Sequence, residues 1–307
     1  MRICVTGGAG FIGSHLVDRL INDGHTVLVI DNLSSGSRKF INSKAQFIEM
    51  DIRDSNLSST ICEFKPEYIF HEAAQTEVSV SMNNPKLDCD VNLMGLINVL
   101  DAAVTCGVKK LLMPSSAAIY GNLDTLPLDE SMIGMPTSFY GLTKLTTEHY
   151  LRIYYEAHGL NYICYRYSNV YGPRQGNGGE GGVISIFAKA IANGLPITVY
   201  GDGDQTRDFI YVDDVVEANI LGLENNITGV YNISTNIASS INLIIDEFKC
   251  ISNSKIDVSY EPERIGDIRH SRLDNKKAQK DFSFKTTFNL SDGLYKTCLL
   301  YTSPSPR

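Results

Sequence analysis

The chain has 307 residues, of which 43% are hydrophobic and 20% are charged, a balance that is ordinary for a globular protein. This length is enough for one large α/β domain or for two domains with a sizeable core. The formal net charge of −8 argues against general nucleic-acid binding and gives no reason to invoke an anionic membrane surface.

Two further features of the composition limit the class of protein. No apolar run approaches the length of a transmembrane helix and no signal peptide precedes the first predicted strand, so we expect a cytoplasmic protein. The seven cysteines are scattered without a C-x-x-C pair or a histidine at metal spacing. We therefore expect reduced, mostly buried thiols rather than disulfides, and no metal site.

A glycine-rich turn joins the first predicted strand to the first predicted helix. The apolar run Ile3 to Val5 indicates a buried strand, and the apolar spacing from Phe11 to Leu20 indicates a helix. Gly7, Gly10 and Gly13 give the spacing G-x-x-G-x-x-G. Such a turn lets the backbone approach a phosphate, and the helix N-terminus offers unpaired N–H groups to a pyrophosphate.

An acidic residue follows the second predicted strand. Thr26 to Ile30 is apolar and ends in Asp31, eighteen residues after Gly13. A carboxylate at this place can accept hydrogen bonds from both ribose hydroxyls of an adenosine. The alternative is an ordinary aspartate between a strand and a loop.

Strand and helix patterns continue to alternate, which predicts a doubly wound parallel sheet of the Rossmann type with its ligand at the carboxyl ends of the strands. The predicted strands are Gln46–Met50, Tyr68–His71, Lys109–Met113 and Tyr162–Tyr167. The predicted helices are Ser55–Phe64, Lys86–Cys106 and Phe139–Ala157. Pro114 is unusual for an interior strand, and we expect the strand to stop there.

The second half of the chain predicts a smaller α/β region. Asp208 to Val212 indicates a strand that enters a helix capped by Asp213 or Asp214. The glycine-rich stretch 176–182 is typical of a mobile loop over a site. We predict an NAD-binding Rossmann domain over 1–166, to which the chain returns around 205–233, and a substrate domain over 167–297. Residues 298–307 resemble a translated adapter used in DNA library preparation, and we expect them to be non-native.

One predicted helix carries a pair of reactive side chains. Tyr140 and Lys144 are four residues apart, so their side chains share a helix face and can point into one cleft. Tyrosine and lysine are also common on helix surfaces, and the pair alone would favour that simpler interpretation. Ser116, at the carboxyl end of a predicted strand, strengthens the case for a site.

Six motifs in this order resemble an extended short-chain dehydrogenase/reductase of the NAD-dependent sugar epimerase/dehydratase family, and within it the nucleotide-sugar 4-epimerases. The resemblance runs from residue 1 to about 297. The motifs are T-G-G-A-G-F-I-G at 6–13, D-N-L-S-S-G at 31–36, S-S-A-A-I-Y-G at 115–121, Y-G-L-T-K at 140–144, R-Y-S-N-V-Y-G-P-R-Q at 166–175 and R-D-F-I-Y-V-D-D at 207–214.

The resemblance implies three catalytic residues: Tyr140 as the base, Lys144 as the group that lowers the tyrosine's pKa and binds the nicotinamide ribose, and Ser116 as the proton partner. Oxidation of an alcohol by hydride transfer needs a base for the hydroxyl proton. A tyrosine of ordinary pKa about 10 is a poor base at neutral pH unless a cation stabilises its phenolate.

The resemblance also implies NAD as the cofactor. NADP is disfavoured because its 2′-phosphate would meet the Asp31 carboxylate. Glu72 departs from the apolar residue usual before the alanine pair at 73–74, which leaves the packing there open. The implied contacts are Gly7, Gly10, Phe11, Ile12 and Gly13 for the pyrophosphate, Asp31 and Asn32 for the adenosine ribose, Asp51 and Ile52 for adenine, and Ala73, Ala74, Asn92, Tyr140 and Lys144 for the nicotinamide side. Tyr167 is a further implied contact of the cofactor.

For the nucleotide-sugar, the resemblance implies contacts from Ser116, Asn169, Arg207, Arg264, Asp267 and Ser271. Fixed arginines suit a diphosphate. Ser271 lies seven residues beyond Arg264, where related epimerases keep either a bulky tyrosine or a small residue opposite the sugar ring. A serine there implies room for an N-acetyl group, although it could simply continue a polar loop.

Three kinds of function remain open at this point. Ala117 and Ala118 hold positions where dehydratases and nucleotide-sugar decarboxylases carry acidic residues, and this favours plain epimerisation. We expect interconversion of UDP-glucose and UDP-galactose, and of the N-acetylated pair, through a 4-keto intermediate. The alternatives are a 4,6-dehydratase or decarboxylase, or a non-catalytic NAD-binding regulator. By analogy with the family, we expect a homodimer that forms through the long helices near 86–106 and 139–157.

Overall fold

The structure is a computed structural model that describes residues 1–176, 181–252, 256–263 and 268–302, with side chains described up to residue 298. Its strands are β1 (Arg2–Thr6), β2 (Thr26–Asp31), β3 (Gln46–Glu49), β4 (Tyr68–His71), β5 (Lys110–Ser116), β6 (Asn161–Tyr167), β7 (Asn169–Tyr171), β8 (Ile197–Tyr200), β9 (Thr206–Arg207), β10 (Phe209–Tyr211), β11 (Gly229–Ile233), β12 (Ser239–Ser240) and β13 (Val258–Glu261).

The α-helices alternate with these strands through most of the chain. They are α1 (Phe11–Asn22), α2 (Leu57–Phe64), α3 (Val78–Asn83), α4 (Pro85–Cys89), α5 (Gly95–Thr105), α6 (Phe139–His158), α7 (Val183–Ala192), α8 (Val212–Glu224), α9 (Ile241–Ser252), α10 (Lys276–Phe282) and α11 (Leu290–Thr302). No described helix is long and apolar enough to cross a membrane.

The predicted parallel sheet is confirmed. Seven strands lie in the order β11-β6-β5-β4-β1-β2-β3, and each neighbouring pair is parallel. From β1, the chain continues to β2 and β3 on one side of the sheet and then to β4, β5 and β6 on the other side, as expected for a doubly wound sheet. The carboxyl ends of β1, β4, β5 and β6 therefore face one cleft.

Helices cover both faces of this sheet. One core cluster contains buried side chains of α1 and α8 together with Ile3 and Val5 of β1. The opposite cluster contains buried side chains of α2, α5 and α6 packed on Cys4 and Leu28. A buried Val, Leu or Ile side chain contributes about 1.5–3 kcal/mol relative to its exposed state, so these two layers hold the strand ends in place.

A smaller α/β region follows the sheet. Its core contains apolar side chains of β7, β8, β10, α7, α9 and α11, and its strand pairs are β10–β7, β12–β9 and β13–β8. Phe11 and Ile12, at the start of α1, pack against the core of this smaller region. The cleft at the sheet edge thus lies beside the smaller region.

The long helix predicted over 86–106 is interrupted. It divides into α4, a π-helical turn from Asp90 to Met94, and α5. In the turn, the Asn92 side chain accepts from the Gln75 amide at 2.9 Å and donates to the Gln75 carbonyl at 3.0 Å. π turns are frequent at functional sites, and this one aims a side chain at the loop after β4.

Pro114 lies inside β5, so the expectation that the strand stops there is wrong. Pairing of β5 with β4 ends at Leu112, whereas pairing with β6 continues to Ser116. Beyond Leu112 the strand has a ladder partner on the β6 side alone. The proline's missing N–H therefore leaves no gap in a two-sided ladder.

The expectation of uniformly reduced, mostly buried cysteines is also wrong. Cys62 in α2 and Cys106 after α5 form a disulfide, with 5.1 Å between their Cα atoms. The two helices pack side by side against the sheet, which brings together residues that their spacing in sequence does not relate. Among the free cysteines, Cys89 and Cys250 are exposed.

The cap of α8 and the glycine-rich loop complete the comparison with the expected elements. The N-cap of α8 is Tyr211, and Asp214 instead accepts hydrogen bonds from the amides of Thr287 at 2.8 Å and Phe288 at 3.3 Å. The predicted mobile loop over 176–182 falls largely on residues 177–180, which lie outside the described residues.

Candidate active site

The glycine turn after β1 forms a backbone cradle. Gly7 has φ +72°, and its amide donates to the Ile30 carbonyl at 2.8 Å. A Cβ on Gly7 would lie 2.4 Å from the Ala73 nitrogen, and one on Gly13 would lie 2.3 Å from the Gly7 carbonyl oxygen. A side chain at either position would fill the turn. Gly10, the N-cap of α1, supplies no side-chain hydrogen bond to the first-turn amides, so this turn suits a pyrophosphate.

Asp31, at the end of β2, is fixed beside this cradle. Its Oδ2 accepts from the Ala9 amide at 2.9 Å and its Oδ1 from the Leu33 amide at 2.8 Å. Burial raises the pKa of the carboxyl, and the two N–H donors oppose that rise. A carboxylate has about four acceptor positions, so capacity for ribose hydroxyls remains. Asp31 thus also holds the glycine turn, which the sequence did not predict.

The residues expected around adenine lie together. Asn32 donates to the Asp51 carboxylate at 2.7 Å. Arg53 donates to both oxygens of Asp51, and these bonds lower the pKa of that carboxyl. A Cβ on Gly95 would lie 2.4 Å from Ile52 Cδ1, so the start of α5 fits closely against the Ile52 side chain.

Ser116, Tyr140 and Lys144 meet at the carboxyl end of β5. Lys144 donates from Nζ to the Pro114 carbonyl at 3.0 Å, and its Nζ lies 5.9 Å from the centre of the Tyr140 ring. Tyr140 and Ser116 are hydrogen-bonded through their side chains. Lys144 is 3% exposed, so Tyr140 and Lys144 are not a solvent-exposed pair on the surface of α6.

Burial is the largest influence on the pKa of Tyr140 and on the pKa of Lys144. Burial raises the pKa of Tyr140, the Ser116 hydrogen bond opposes this, and the Asp88 charge adds to it. Burial lowers the pKa of Lys144, and the charges of Cys164, Glu72 and Asp88 oppose that change. A tyrosine in this setting becomes a base only when positive charge stabilises its phenolate.

The residues expected near nicotinamide also converge. Tyr167 of β6 pairs in register with Ser116, and its hydroxyl accepts from Asn219 at 2.6 Å. Ala73 lies against the glycine turn, and Ala74 follows it in the same loop. Asn92 is bonded to the main chain of Gln75, so it fixes the loop that carries these alanines.

Glu72 introduces a carboxyl group into this region. Its Oε1 is shielded from solvent and has no hydrogen-bond partner among the described residues. Burial raises its pKa to about 7, opposed by the Lys144 charge. The neighbouring His71 hydrogen-bonds Thr6 at 2.7 Å, and burial lowers its pKa to about 3. Glu72 therefore titrates near neutral pH while His71 stays uncharged.

Three of the residues expected to contact the sugar nucleotide, Asn169, Arg207 and Ser271, lie in the smaller region. The Thr206 carbonyl accepts from the Ser271 amide at 3.1 Å and from Arg207 Nη1 at 3.0 Å, which brings Arg207 and Ser271 together. The Asn169 amide donates to the Asp208 carbonyl at 2.8 Å. Arg264 and Asp267 lie outside the described residues.

A cluster of hydrogen-bonded polar side chains beside α6 was not predicted from the sequence. It contains Gln75, Asp88 and Thr143, in addition to Asn92. Asp88 and Asn92 are four residues apart, at a spacing that continues to buried Leu96 and Val99. Two polar residues on an otherwise apolar helix face were the available signal.

Comparison with known proteins agrees with this geometry. Residues 3–237 match the model of the NAD dependent epimerase/dehydratase family. A putative UDP-glucose 4-epimerase of Methanocaldococcus jannaschii is 42% identical over 95% of each chain. A structure of Thermotoga maritima UDP-glucose 4-epimerase with UDP-glucose is 41% identical, covers 98% of each chain and has a TM-score of 0.95.

A third similar protein is named for a different sugar nucleotide. UDP-N-acetylglucosamine 4-epimerase from Methanobrevibacter ruminantium, in complex with UDP-N-acetylmuramic acid, is 38% identical with a TM-score of 0.93, and the match covers 98% of this chain and 97% of that one. These likenesses extend over nearly the whole chain, and the family model spans more than half of it. The chain belongs to the NAD-dependent epimerase/dehydratase family.

Proposed function

We propose that this protein is an NAD-dependent UDP-sugar 4-epimerase, an isomerase that inverts the configuration at C4 of the sugar. The observation that carries this proposal is the grouping of Ser116, Tyr140 and Lys144 at the strand ends, next to the glycine cradle. Ala117 and Ala118 support epimerisation because neither can transfer the extra protons that dehydration requires.

The cofactor in this proposal is held by the glycine turn, with Asp31 and Asn32 at its adenosine ribose. Bound NAD⁺ supplies a reversible hydride acceptor. Tyr140 takes the proton of the C4 hydroxyl, and Ser116 orients that hydroxyl through a hydrogen bond. Lys144 stabilises the phenolate by its charge. Tyr140 then returns the proton to the C4 oxygen, so that Tyr140, Ser116 and Lys144 end in the state in which they began.

We place the UDP moiety in the smaller region, as part of a substrate domain over 167–297, with the Rossmann domain over 1–166 and around 205–233. Arg207 supplies positive charge for the diphosphate, with Arg264, and Asn169 donates hydrogen bonds. Ser271 lies beside Arg207, which supports its assignment as the small side chain near the sugar. Asp267, between Arg264 and Ser271 in the sequence, is assigned to the same site. We include UDP-GlcNAc among the substrates because a serine at 271 leaves room for the acetamide.

We further propose a homodimer that forms through α5 and α6, together with α4. Apolar side chains on α6 and on the π-helical turn between α4 and α5 are exposed: Met94 is 51%, Leu142 50% and Ile153 49% exposed. Exposed apolar residues grouped on one face are typical of an interface. Light scattering of wild type and of Leu142→Glu tests this, since a monomer in both would contradict it. The cytoplasmic location remains a prediction from the sequence.

Incubation of the purified protein with UDP-glucose and with UDP-GlcNAc, followed by chromatographic separation of the products, tests the proposed function. We expect the C4 epimers without added reductant, and NAD rather than NADP released on denaturation, as identified by mass spectrometry. A keto-deoxy sugar would indicate a dehydratase, a pentose product from a uronic acid substrate would indicate a decarboxylase, and bound NAD without any turnover would indicate a regulator.

A further inference from the structure

A carboxylate is buried beside the catalytic helix without an ion pair. Asp88 in α4 is 0% exposed. Its Oδ1 accepts from Gln75 Nε2 at 2.8 Å and from Asn92 Nδ2 at 3.1 Å, and its Oδ2 accepts from the Thr143 hydroxyl at 2.9 Å. No salt bridge to Asp88 is present within the described residues. Burial of a charged group is costly unless hydrogen bonds compensate, and here uncharged donors do so.

The three donors come from separate parts of the site. Gln75 follows the two alanines on the loop that contacts the glycine turn, and Asn92 lies in the π-helical turn. Thr143 lies in α6 between the catalytic tyrosine and lysine, and its hydroxyl is also 3.0 Å from the Tyr140 carbonyl. The Asp88 carboxylate therefore joins the loop after β4 to α6, and Asn92 adds a longer bond of 3.4 Å to the Thr143 hydroxyl.

A purely structural role does not require this arrangement. Well-packed apolar side chains often stabilise a helix contact as well as a buried charged group does. The carboxylate differs from an apolar residue in two respects: its bonds have fixed directions and lengths, and its charge acts on neighbouring ionisable groups. Both properties can affect Tyr140 and Lys144, because these two residues flank Thr143 in the sequence.

We infer that Asp88 is a positioning residue of the reaction: it fixes Thr143, and with it Tyr140 and Lys144, relative to the loop beside the cofactor, while its charge acts on the catalytic base. This inference rests on the proposed 4-epimerase function. A displacement of about 1 Å at a reacting centre can cost about 10²-fold in rate, so a link of this kind affects kcat more than substrate binding.

Substitution of Thr143 tests the positional part of the inference. Thr143→Val keeps the volume of the side chain but removes the hydroxyl, and leaves Asp88 Oδ2 without its donor. Thr143→Ser keeps the hydroxyl. We expect kcat for UDP-glucose to fall about 10–100-fold in Thr143→Val, with KM within about twofold, and to stay within about threefold of wild type in Thr143→Ser.

Substitution of Asp88 tests the effect of its charge. In Asp88→Asn the oxygen can still accept from Gln75 and Asn92, and the new amide can donate to Thr143, whose hydroxyl then donates to Tyr140. The network persists but the negative charge is lost. Among the described residues, the other titratable groups that interact with the pair are Glu72, His71 and Cys164, and they are unchanged. Because the Asp88 charge disfavours the phenolate, the acidic limb of the kcat profile should move to lower pH, by about 0.5–1.5 units.

The outcomes separate the inference from the proposed function. Wild-type protein without turnover of any UDP-sugar would refute the function itself. If wild type turns over UDP-sugars but kcat is normal in Thr143→Val, the inference is wrong while the proposed function stands. The same holds if the pH profile of Asp88→Asn does not move. If Thr143→Val and Thr143→Ser lose activity only in proportion to their loss of Tm, Asp88 is structural and the inference is wrong. The Thr143 pair decides the matter even if Asp88→Asn does not fold.

Discussion

The catalytic cleft and the sugar-nucleotide region of this molecule are built differently. Around the cleft, the functional groups extend from strands of four to seven residues in one parallel sheet and from a helix of 20 residues. Lys144 and Asp88 are buried, and each is fixed by hydrogen bonds of 3.1 Å or less.

The sugar-nucleotide region is built from shorter elements. Arg207 and its neighbours lie on β9 and β12, two strands of two residues each. Arg269 nearby pairs at the surface with Asp202 at 2.7 Å and with Glu263 at 3.0 Å. Exposed ion pairs of this kind contribute about 0–1 kcal/mol. Under the proposed function, the groups assigned to the chemistry are held by the buried core, whereas Arg207, assigned to the sugar nucleotide, lies on a strand of two residues.

The largest expected effect comes from removal of the catalytic base. Tyr140→Phe keeps the ring and the packing but removes the proton acceptor, so we expect turnover of UDP-sugars to fall about 10²–10⁴-fold with NAD retained. Tyr155→Phe, on the exposed side of the same helix, is the matched control and should leave kcat unchanged. Steady-state kinetics measure both, and turnover of Tyr140→Phe within threefold of wild type would show that another group is the base.

The next prediction breaks the cofactor cradle. Gly7→Ala combines a positive φ with a Cβ placed 2.4 Å from the Ala73 nitrogen. Gly24→Ala has a similar φ of +83° but no atom within 4 Å, so it should lose only about 1–2 kcal/mol of stability. We expect Gly7→Ala to lose more stability and to bind NAD far more weakly. Calorimetric titration with NAD checks this, and equal NAD affinity in the two variants would contradict the cradle.

In the smaller region, loss of one arginine should affect substrate binding and leave the chemistry intact. Arg207→Leu removes a charge-assisted contact to the diphosphate, which is typically worth about 1.5–3 kcal/mol, so we expect KM to rise about tenfold or more. Arg269→Leu loses only exposed ion pairs and serves as the control. A fall in kcat without a change in KM would place Arg207 in the catalytic region instead.

A substitution at the sugar should act on one substrate only. Ser271→Tyr fills the space assigned to the N-acetyl group, so turnover of UDP-GlcNAc should fall while turnover of UDP-glucose persists. Ser271→Ala is the control for loss of the hydroxyl. Parallel measurements of kcat/KM on both substrates check this, and an equal loss on both, or none on either, would mean that Ser271 does not select the substrate.

The smallest effect concerns the pH dependence of stability through Glu72. Its folded-state pKa of about 7 lies above the ordinary value of 4.5. The folded protein therefore keeps this proton where the unfolded chain releases it, so the stability due to this group is present below pH 4.5 and is lost as pH rises through 7. Glu72→Gln should flatten the unfolding free energy between these values, whereas exposed Glu224→Gln should not. Urea unfolding at several pH values measures it, and identical slopes would contradict the buried position.

Much of the fold was predictable because the signals are local. Alternating apolar runs specify strands and helices, and the strand at Tyr68–His71 has the bounds that its pattern indicates. Tyr140 and Lys144 were predictable as a pair because residues four apart share a helix face, and Ser116 was predictable at the carboxyl end of a strand. The Cys62–Cys106 bond and the π-helical turn were not predictable, because both depend on how separate helices pack.

The site was less predictable where one side chain positions another through a hydrogen bond. Nothing in the spacing relates Asp88 to Gln75 or to Thr143, since their hydrogen bonds depend on the break between α4 and α5. Asp31 is predictable as a ribose ligand but not as the clamp of the glycine turn. Such roles require the geometry of a loop, which the pattern of apolar residues does not encode.

The most direct test of the central account is epimerisation of UDP-glucose in D₂O, followed by proton NMR of the product. Because hydride leaves C4 and returns to the same carbon, we expect UDP-galactose with protium retained at C4 and at every other carbon, without added reductant. Deuterium at C5 or C6, or a 4-keto-6-deoxy product, would contradict a simple C4 epimerase.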